Sequence, residues 1–447
     1  MHSAKRLFAA LLCLFSAGVQ AVTLSELGQS ALNNDLSFRA AGKAYEAEQA
    51  EVAAGKSHLL PSVGLSYQNT PYNRLTQRAP VTSQRHYSSH SLNLVVTQPL
   101  FDYTAYHQYR AAQIRGTAAE SRLQIQQAEL INRLVSAYLN LACALELQKT
   151  DRLRLALNTA QLGAAQRLLQ LGEGTVTEVE SARARLRQRQ AQLAETEAES
   201  LHALLILSDL TGLPQLRMQD LPALKAGDFR LPHLNDGDYA AQEQQMQAVH
   251  PEIKAAQQET SLAKAAAEVQ RGAFMPSAQL FAAWSDTRSD SNDTVGQRYR
   301  NLSAGIHLSV PLFSGGKDLA GMRKVSAQIQ QAQFEQDALV QTLRRDLARQ
   351  YQVFRHSGIQ LAALEQAAAA ARLQVTAAEK GYAAGQNSQP EVAHARDQYY
   401  QAEQELIKAR YDGLLAWFRL RYYSSAPETG LFRQIEDYFT VTERPSH

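Results

Sequence analysis

Ser91–Phe101 reads SLNLVVTQPLF, and from Asp102 the chain runs on without a proline until Pro214. In the first piece Leu92, Leu94, Val96 and Leu100 alternate with Asn93, Thr97 and other small or polar residues, the period of a strand with one apolar face. Proline cannot donate to a ladder, so the strand is expected to close at Pro99-Leu100-Phe101. Beyond Asp102 the period becomes helical. Leu130, Leu134, Leu141 and Leu145 make one buried stripe, and the first break is Gly172-Glu173-Gly174. A helix over 102–171 would reach roughly 100 Å at 1.5 Å per residue. A second helix runs from Thr175 to about Leu210, where Thr211-Gly212-Leu213-Pro214 ends it. A short strand feeding a helix longer than a globular domain can hold is the fact to explain.

Upstream, Thr23 to about Lys56 is amphipathic and reads as one helix; Pro61 then opens SVGLSYQN, a second alternating stretch. Residues 70–90 are polar and carry prolines, the pattern of a loop between the two strands. Residues 214–238 read as a linker, and the order then restarts. Tyr239–Gly272 is helical, Pro276 opens SAQLFAAW, 286–300 is a polar loop, and Leu302–Phe313 alternates again, with Leu302, Ala304, Ile306 and Leu308 on one face and Ser303, Gly305, His307 and Ser309 on the other. A second long helix carries Leu339, Leu343, Leu347, Tyr351 and Phe354, is interrupted over Gly381–Ser388, and is followed by a helix to about Tyr423. Residues 426–447 read as an unpatterned polar tail. Pro61 and Pro276, Pro99 and Pro311, Gly172 and Gly385, Glu178 and Glu391 match at separations of 212 to 215 residues. Such a constant offset predicts a tandem duplication: a first repeat over 22–213 (hairpin 60–101, helix pair 102–212) and a second over 239–425 (hairpin 276–313, helix pair 318–423).

Residues 1–21 have the layout of a secretory signal: Lys5-Arg6, an apolar run through Phe15, then Val19-Gln20-Ala21 as a small-x-small cleavage site. Without them the chain has no net charge, which gives no support to a nucleic-acid partner. Cys143 is then its one cysteine, which rules out an intrachain disulfide and suits packing among apolar neighbours. After the signal no unbroken apolar run is long enough to cross a membrane as a helix. A membrane role must therefore use strands. Four strands of about ten residues fit an outer-membrane wall in length, but four cannot close a barrel, and an open edge in lipid leaves backbone groups unsatisfied. Several copies must pool their hairpins; three would supply twelve strands.

The order strand, Pro-Leu-Phe, long helix, glycine break and helix, given twice after a signal, resembles the TolC family of outer-membrane channel-tunnels over nearly the whole mature chain. Gly381-Tyr382-Ala383-Ala384-Gly385 with Glu391-Val392 resembles that family's Gly-Tyr-x-x-Gly followed by Asp-Val. Leu100-Phe101-Asp102-Tyr103 and Gly172-Glu173-Gly174-Thr175 look most like members that export proteases by type I secretion. The resemblance implies a mainly α chain with a small β part: a homotrimer whose twelve-stranded outer-membrane barrel continues as a periplasmic α-helical barrel in a Gram-negative cell. It also implies a passive exit duct, opened by docking to a periplasmic adaptor and an inner-membrane ABC transporter. The alternative is the outer-membrane channel of a multidrug or small-molecule efflux pump, with a proton-driven partner. A third reading, from the helices alone, is a periplasmic coiled-coil scaffold without a pore.

The resemblance places the two helix turns at the periplasmic tip. Gly172, Glu173, Gly174, Thr175, Gly385, Gln386, Asn387 and Ser388 are then adaptor-contacting, Glu178, Glu391 and His394 line the pore constriction, and Tyr382 is a gate-packing residue. Three-fold rings of Glu178 and Glu391 would favour cations and could hold a divalent ion. The residues themselves offer a second reading. Thr175-Val176-Thr177-Glu178 and Ser388-Gln389-Pro390-Glu391 both fit the S/T-x-x-E capping box, and Pro390 suits a first turn. The family's usual arginine two residues after the second glycine is Asn387 here, and its usual second pore aspartate is His394. No cofactor is expected and no enzyme motif is present; His86 and His90 lie in a polar stretch without an acidic neighbour and make a poor metal pair.

Overall fold

The structure is a computed structural model describing residues 22–78, 80–225, 229–232, 238–291, 294–425 and 429–440; the signal segment and 441–447 lie outside them. In chain order the elements are α1 (Leu24–Asn34), α2 (Leu36–Ser57), β1 (Ser62–Arg78), β2 (Val81–Asp102), α3 (Tyr103–Gln170), α4 (Val176–Thr211), α5 (Asp238–Val249), α6 (Pro251–Arg271), β3 (Ser277–Ser291), β4 (Thr294–Ser309), α7 (Lys317–Ala383), α8 (Gln389–Ser424) and α9 (Gly430–Glu436). They form two compact units: one of residues 42–123 and 252–340, the other of 22–41, 124–251 and 341–440.

The first unit holds the sheet, an antiparallel β1-β2-β3-β4. Its strands are 15 to 22 residues long rather than about ten, and they take in most of the two stretches expected to be loops. The ladder runs on to Arg78↔Val81 and to Ser291↔Thr294. Beyond the apolar band most residues on both faces are polar, with Tyr72, Leu75 and Tyr299 scattered among them. Hydrophobic alternation therefore disappears while backbone pairing continues, and the sequence pattern shows no strand. Pro71 is tolerated because β1 is an edge strand. Pro99 does not close β2, which continues to Asp102 through a register shift between Pro99 and Phe101. Pro311, by contrast, lies past the end of β4 at Ser309.

One face of the sheet is apolar and uncovered. Val63, Leu65, Leu302, Ile306 and Leu308 are each 65–81 % exposed. So continuous an apolar surface has no place in water. Beside the sheet, α2 meets α3 where Gly55 leaves too little room for a Cβ against Ala112, and Gly272 abuts Thr104 in the same way. Tyr103 donates its hydroxyl to Glu268 at 2.6 Å, and Arg122 pairs with Glu259.

In the second unit the predicted stripes are the core. Leu130, Leu134 and Leu141 of α3 are buried, as are Leu207 of α4, Leu343, Leu347, Tyr351 and Phe354 of α7, and Leu414, Trp417 and Phe418 of α8; Leu145 is half-buried, and so is Leu339, which falls in the first unit. Burial pushes the Cys143 thiol up to about 12, which agrees with a packing role. The α3 helix contains one stretch with mean hydropathy 1.2, which is not an unbroken apolar run, and 56 % of it is buried in the protein. It is a core helix by that measure.

Three further expectations fail here. Residues 23–56 form two helices, because Asp35 turns the chain out of helix and caps α2 through Phe38 N–H, 2.8 Å from its Oδ1. His250 and Pro251 make the matching break between α5 and α6, and burial holds His250 down at about 4. Finally, 429–440 is not a loose tail: Phe432, Ile435 and Phe439 are buried. Phe439 bridges Leu224 of the linker, and the Glu436 carboxylate accepts from the Ser25 N–H at 2.6 Å. Leu431, Phe432, Ile435 and Phe439 are too few and too irregularly spaced to show periodicity, yet three of them are buried.

Candidate functional site: the paired helix turns

The breaks at Gly172 and Gly385 are the same turn built twice. Glu173 N–H donates to Leu168 O at 2.9 Å and Gln386 N–H to Gly381 O at 2.8 Å; Gly172 N–H reaches Leu169 O at 3.1 Å and Gly385 N–H reaches Tyr382 O at 3.0 Å. These bonds satisfy the last carbonyls of α3 and α7. They require a left-handed residue, and Gly172 and Gly385 supply it with φ of 77° and 71°. A Cβ on Gly385 would meet nothing within 4 Å, so Gly385→Ala is expected to cost only the backbone penalty, about 1–2 kcal/mol, with Gly385→Asn costing less. Denaturant unfolding of the two variants checks the order.

The turns differ at one compensating pair. In the first, Leu168 faces Gly174, and a Cβ there would stand 3.1 Å from the leucine Cβ. In the second, Gly381 makes room for Asn387, whose Nδ2 donates to Ala378 O at 3.4 Å. The bulky partner has changed sides.

Both glutamates cap their helices, as the second reading of the motifs expects. Glu178 N–H donates to Thr175 Oγ1 at 3.2 Å, and Thr175 N–H returns a bond to Glu178 Oε2 at 2.8 Å. Ser388 N–H donates to Glu391 Oε2 at 2.6 Å. That backbone hydrogen bond holds the Glu391 carboxyl below its usual range, so it is ionised at neutral pH. Val179 and Val392, one residue on, are buried, with Val392 packed on Ala378 and Ala395.

Glu391, His394 and Asn387 line one open cleft together with Gln374, Ala377 and Ala378. Glu178 lies in another, of about 260 Å³, with Glu173, Thr175, Arg185 and Gln389. The two glutamates therefore do not share a cleft within one chain. Tyr382 is 50 % exposed, so its own chain does not cover it. Gly172, Glu173, Gly385 and Gln386 are exposed at the turns. Among the described residues no group of three or more His, Cys, Asp or Glu is placed to hold a metal ion.

One constellation escaped the sequence reading. Arg154 of α3, with 5 % of its side chain exposed, donates to Gln404 Oε1 at 2.9 Å and to Asp397 Oδ1 at 3.2 Å on α8. Arg189 of α4 donates to the same carboxylate at 3.0 Å. Asp151, 2 % exposed, accepts from Gln404 Nε2 at 2.7 Å and from Thr196 Oγ1 at 3.2 Å. These residues tie α3, α4 and α8 together. The signal was present: Leu147, Asp151, Arg154 and Asn158 recur at intervals of four, three and four residues, the spacing of one helix face.

Comparison with known proteins decides the lineage. The outer membrane efflux protein profile matches residues 27–213 and 243–424. This chain belongs to the outer membrane efflux protein family. As a member it is an outer-membrane protein with a channel fold. Among its family relatives is the alkaline protease secretion protein AprF of Pseudomonas aeruginosa, 31 % identical over 98 % of this chain and 92 % of that one. The proteases secretion protein PrtF of Dickeya chrysanthemi is 31 % identical over 93 % and 91 % of the two chains. The outer-membrane channel OprN has the same fold, with a TM-score of 0.76 over 90 % of each chain at 20 % identity.

Proposed function

We propose that this family member is the outer-membrane exit duct of a type I protein secretion system. A homotrimer would pool twelve strands into one barrel and receive cargo from an inner-membrane ABC transporter through a periplasmic adaptor. The carrying observation is the sheet: four strands with two unpaired edges, β1 and β4, and an uncovered apolar face. Both edges must be paired in lipid, and copies of the same chain are the available partners. Conduction is passive, and the matched halves 22–213 and 239–425 act as two repeats of one wall. Protein cargo is favoured by the likeness to two protease secretion proteins over more than nine-tenths of the chain.

In this reading the two turns form the periplasmic end. Their exposed residues contact the adaptor, Tyr382 packs across to a neighbouring chain, and three-fold rings of Glu178, Glu391 and His394 constrict the pore. Capping and ring roles coexist, because each glutamate spends one oxygen on its cap and keeps the other.

Purified protein is expected to be a trimer in detergent and to conduct in planar bilayers. A folded, strand-rich monomer refutes the barrel, and a soluble trimer without conductance points to the scaffold. Deletion in the cell should abolish export of a protein while drug tolerance stays unchanged; the converse favours small-molecule efflux. Glu178→Ala with Glu391→Ala should reduce cation preference. Unchanged selectivity would leave both residues as caps alone.

A further inference from the structure

On the outward face of the sheet the apolar rows end at the aromatic residues Tyr67 and Trp284, and charge begins within one ladder step. Asp286 and Arg300 share a row with Tyr67 and Leu92. The next row on that face is Asn69, His90, Arg288 and Arg298. Arg298 Nε donates to Asp286 Oδ1 at 2.8 Å, and Arg300 Nε reaches Oδ2 at 3.2 Å. Their side chains nevertheless stay 54 % and 62 % exposed. Arg298 and Arg300 thus share the Asp286 carboxylate, and Arg288 stands on the same face in the next row. Arg288 also stands directly opposite Arg298 across one ladder and opposite His90 across the other. Like charges directly opposite destabilise a sheet, unless an anion from outside lies between them.

We propose that Arg288, Arg298 and Arg300 bind the phosphate groups of the lipid in the outer leaflet. The inference rests on the barrel reading, since it takes the apolar face as the one in lipid. The cluster continues that face just past its aromatic edge, where headgroups lie. Guanidinium forks match phosphate oxygens in charge and geometry, and an anion bridging Arg288 and Arg298 removes their repulsion.

The test titrates the purified full chain in detergent with bis-phosphorylated lipid A and with its dephosphorylated form, reading bound lipid by native mass spectrometry. The phosphorylated lipid should bind roughly tenfold tighter or more, and Arg288→Gln with Arg298→Gln and Arg300→Gln should remove that preference. Arg288→Gln alone leaves the Asp286 ion pairs in place and should reduce it several-fold, while Arg74→Gln on the opposite face should not change it. Equal affinity of the native chain for the two lipids overturns the proposal, as does a folded triple variant that keeps the preference. Competition by inorganic phosphate at equal concentration overturns lipid as the source. A chain that does not insert into vesicles at all overturns the barrel reading, and this one with it.

Discussion

Phe432→Ala is expected to destabilise the protein by about 3–5 kcal/mol, the range for emptying a large aromatic site in a core. The ring is 2 % exposed and lies against α1 at Gly28, where a Cβ would fall well inside contact distance of it. The loss has two sources. Apolar area returns to water, and the groove cannot collapse, because Ile435 and Phe439 on the same segment stay anchored beside it. Phe432→Leu keeps most of the volume and should cost about 1.5 kcal/mol or less. Denaturant unfolding of both variants in detergent reads the difference. A loose C-terminal tail would leave both midpoints where they were.

Arg154→Leu should cost about 3 kcal/mol, the low end for breaking a buried ion pair by removing one partner. The magnitude comes from Asp151 more than from Asp397. Asp397 keeps Arg189 and is 43 % exposed, so solvent screens much of what it loses. Asp151 is buried, and Arg154, 4.0 Å away, is the cation that offsets its charge. Gln404 and Thr196 still donate to it but bring no positive charge. Replacing both residues, Asp151→Leu with Arg154→Leu, should therefore recover most of the loss, since an apolar pair needs no partner. The check is a double-mutant cycle by chemical unfolding. Simple additivity of the two single substitutions would show that the residues do not act on one another.

Much of this protein was decided by sequence alone. Alternation in Leu92–Val96 and Leu302–Leu308 identified strands with one apolar face, because that face has to satisfy lipid at every second residue. The long helices were legible for a related reason: Leu130, Leu134 and Leu141 recur where one helix side meets the core, and nothing before Gly172 interrupts them. The glycines at 172 and 385 and the caps at Glu178 and Glu391 are short-range chemistry, complete within a few residues, so their motifs could be read directly. Other features were decided only in three dimensions. Whether 70–90 pairs as strands depends on a ladder that does not ask for apolar side chains. Whether Pro99 ends a strand depends on a bulge in the neighbouring register. The anchoring of Phe432 on Gly28, the meeting of Arg154, Asp397 and Arg189, and the row that sets Arg288 against Arg298 each join residues distant in the chain. A sequence records the presence of those groups, but their energy depends on a distance and a burial that only the folded backbone supplies.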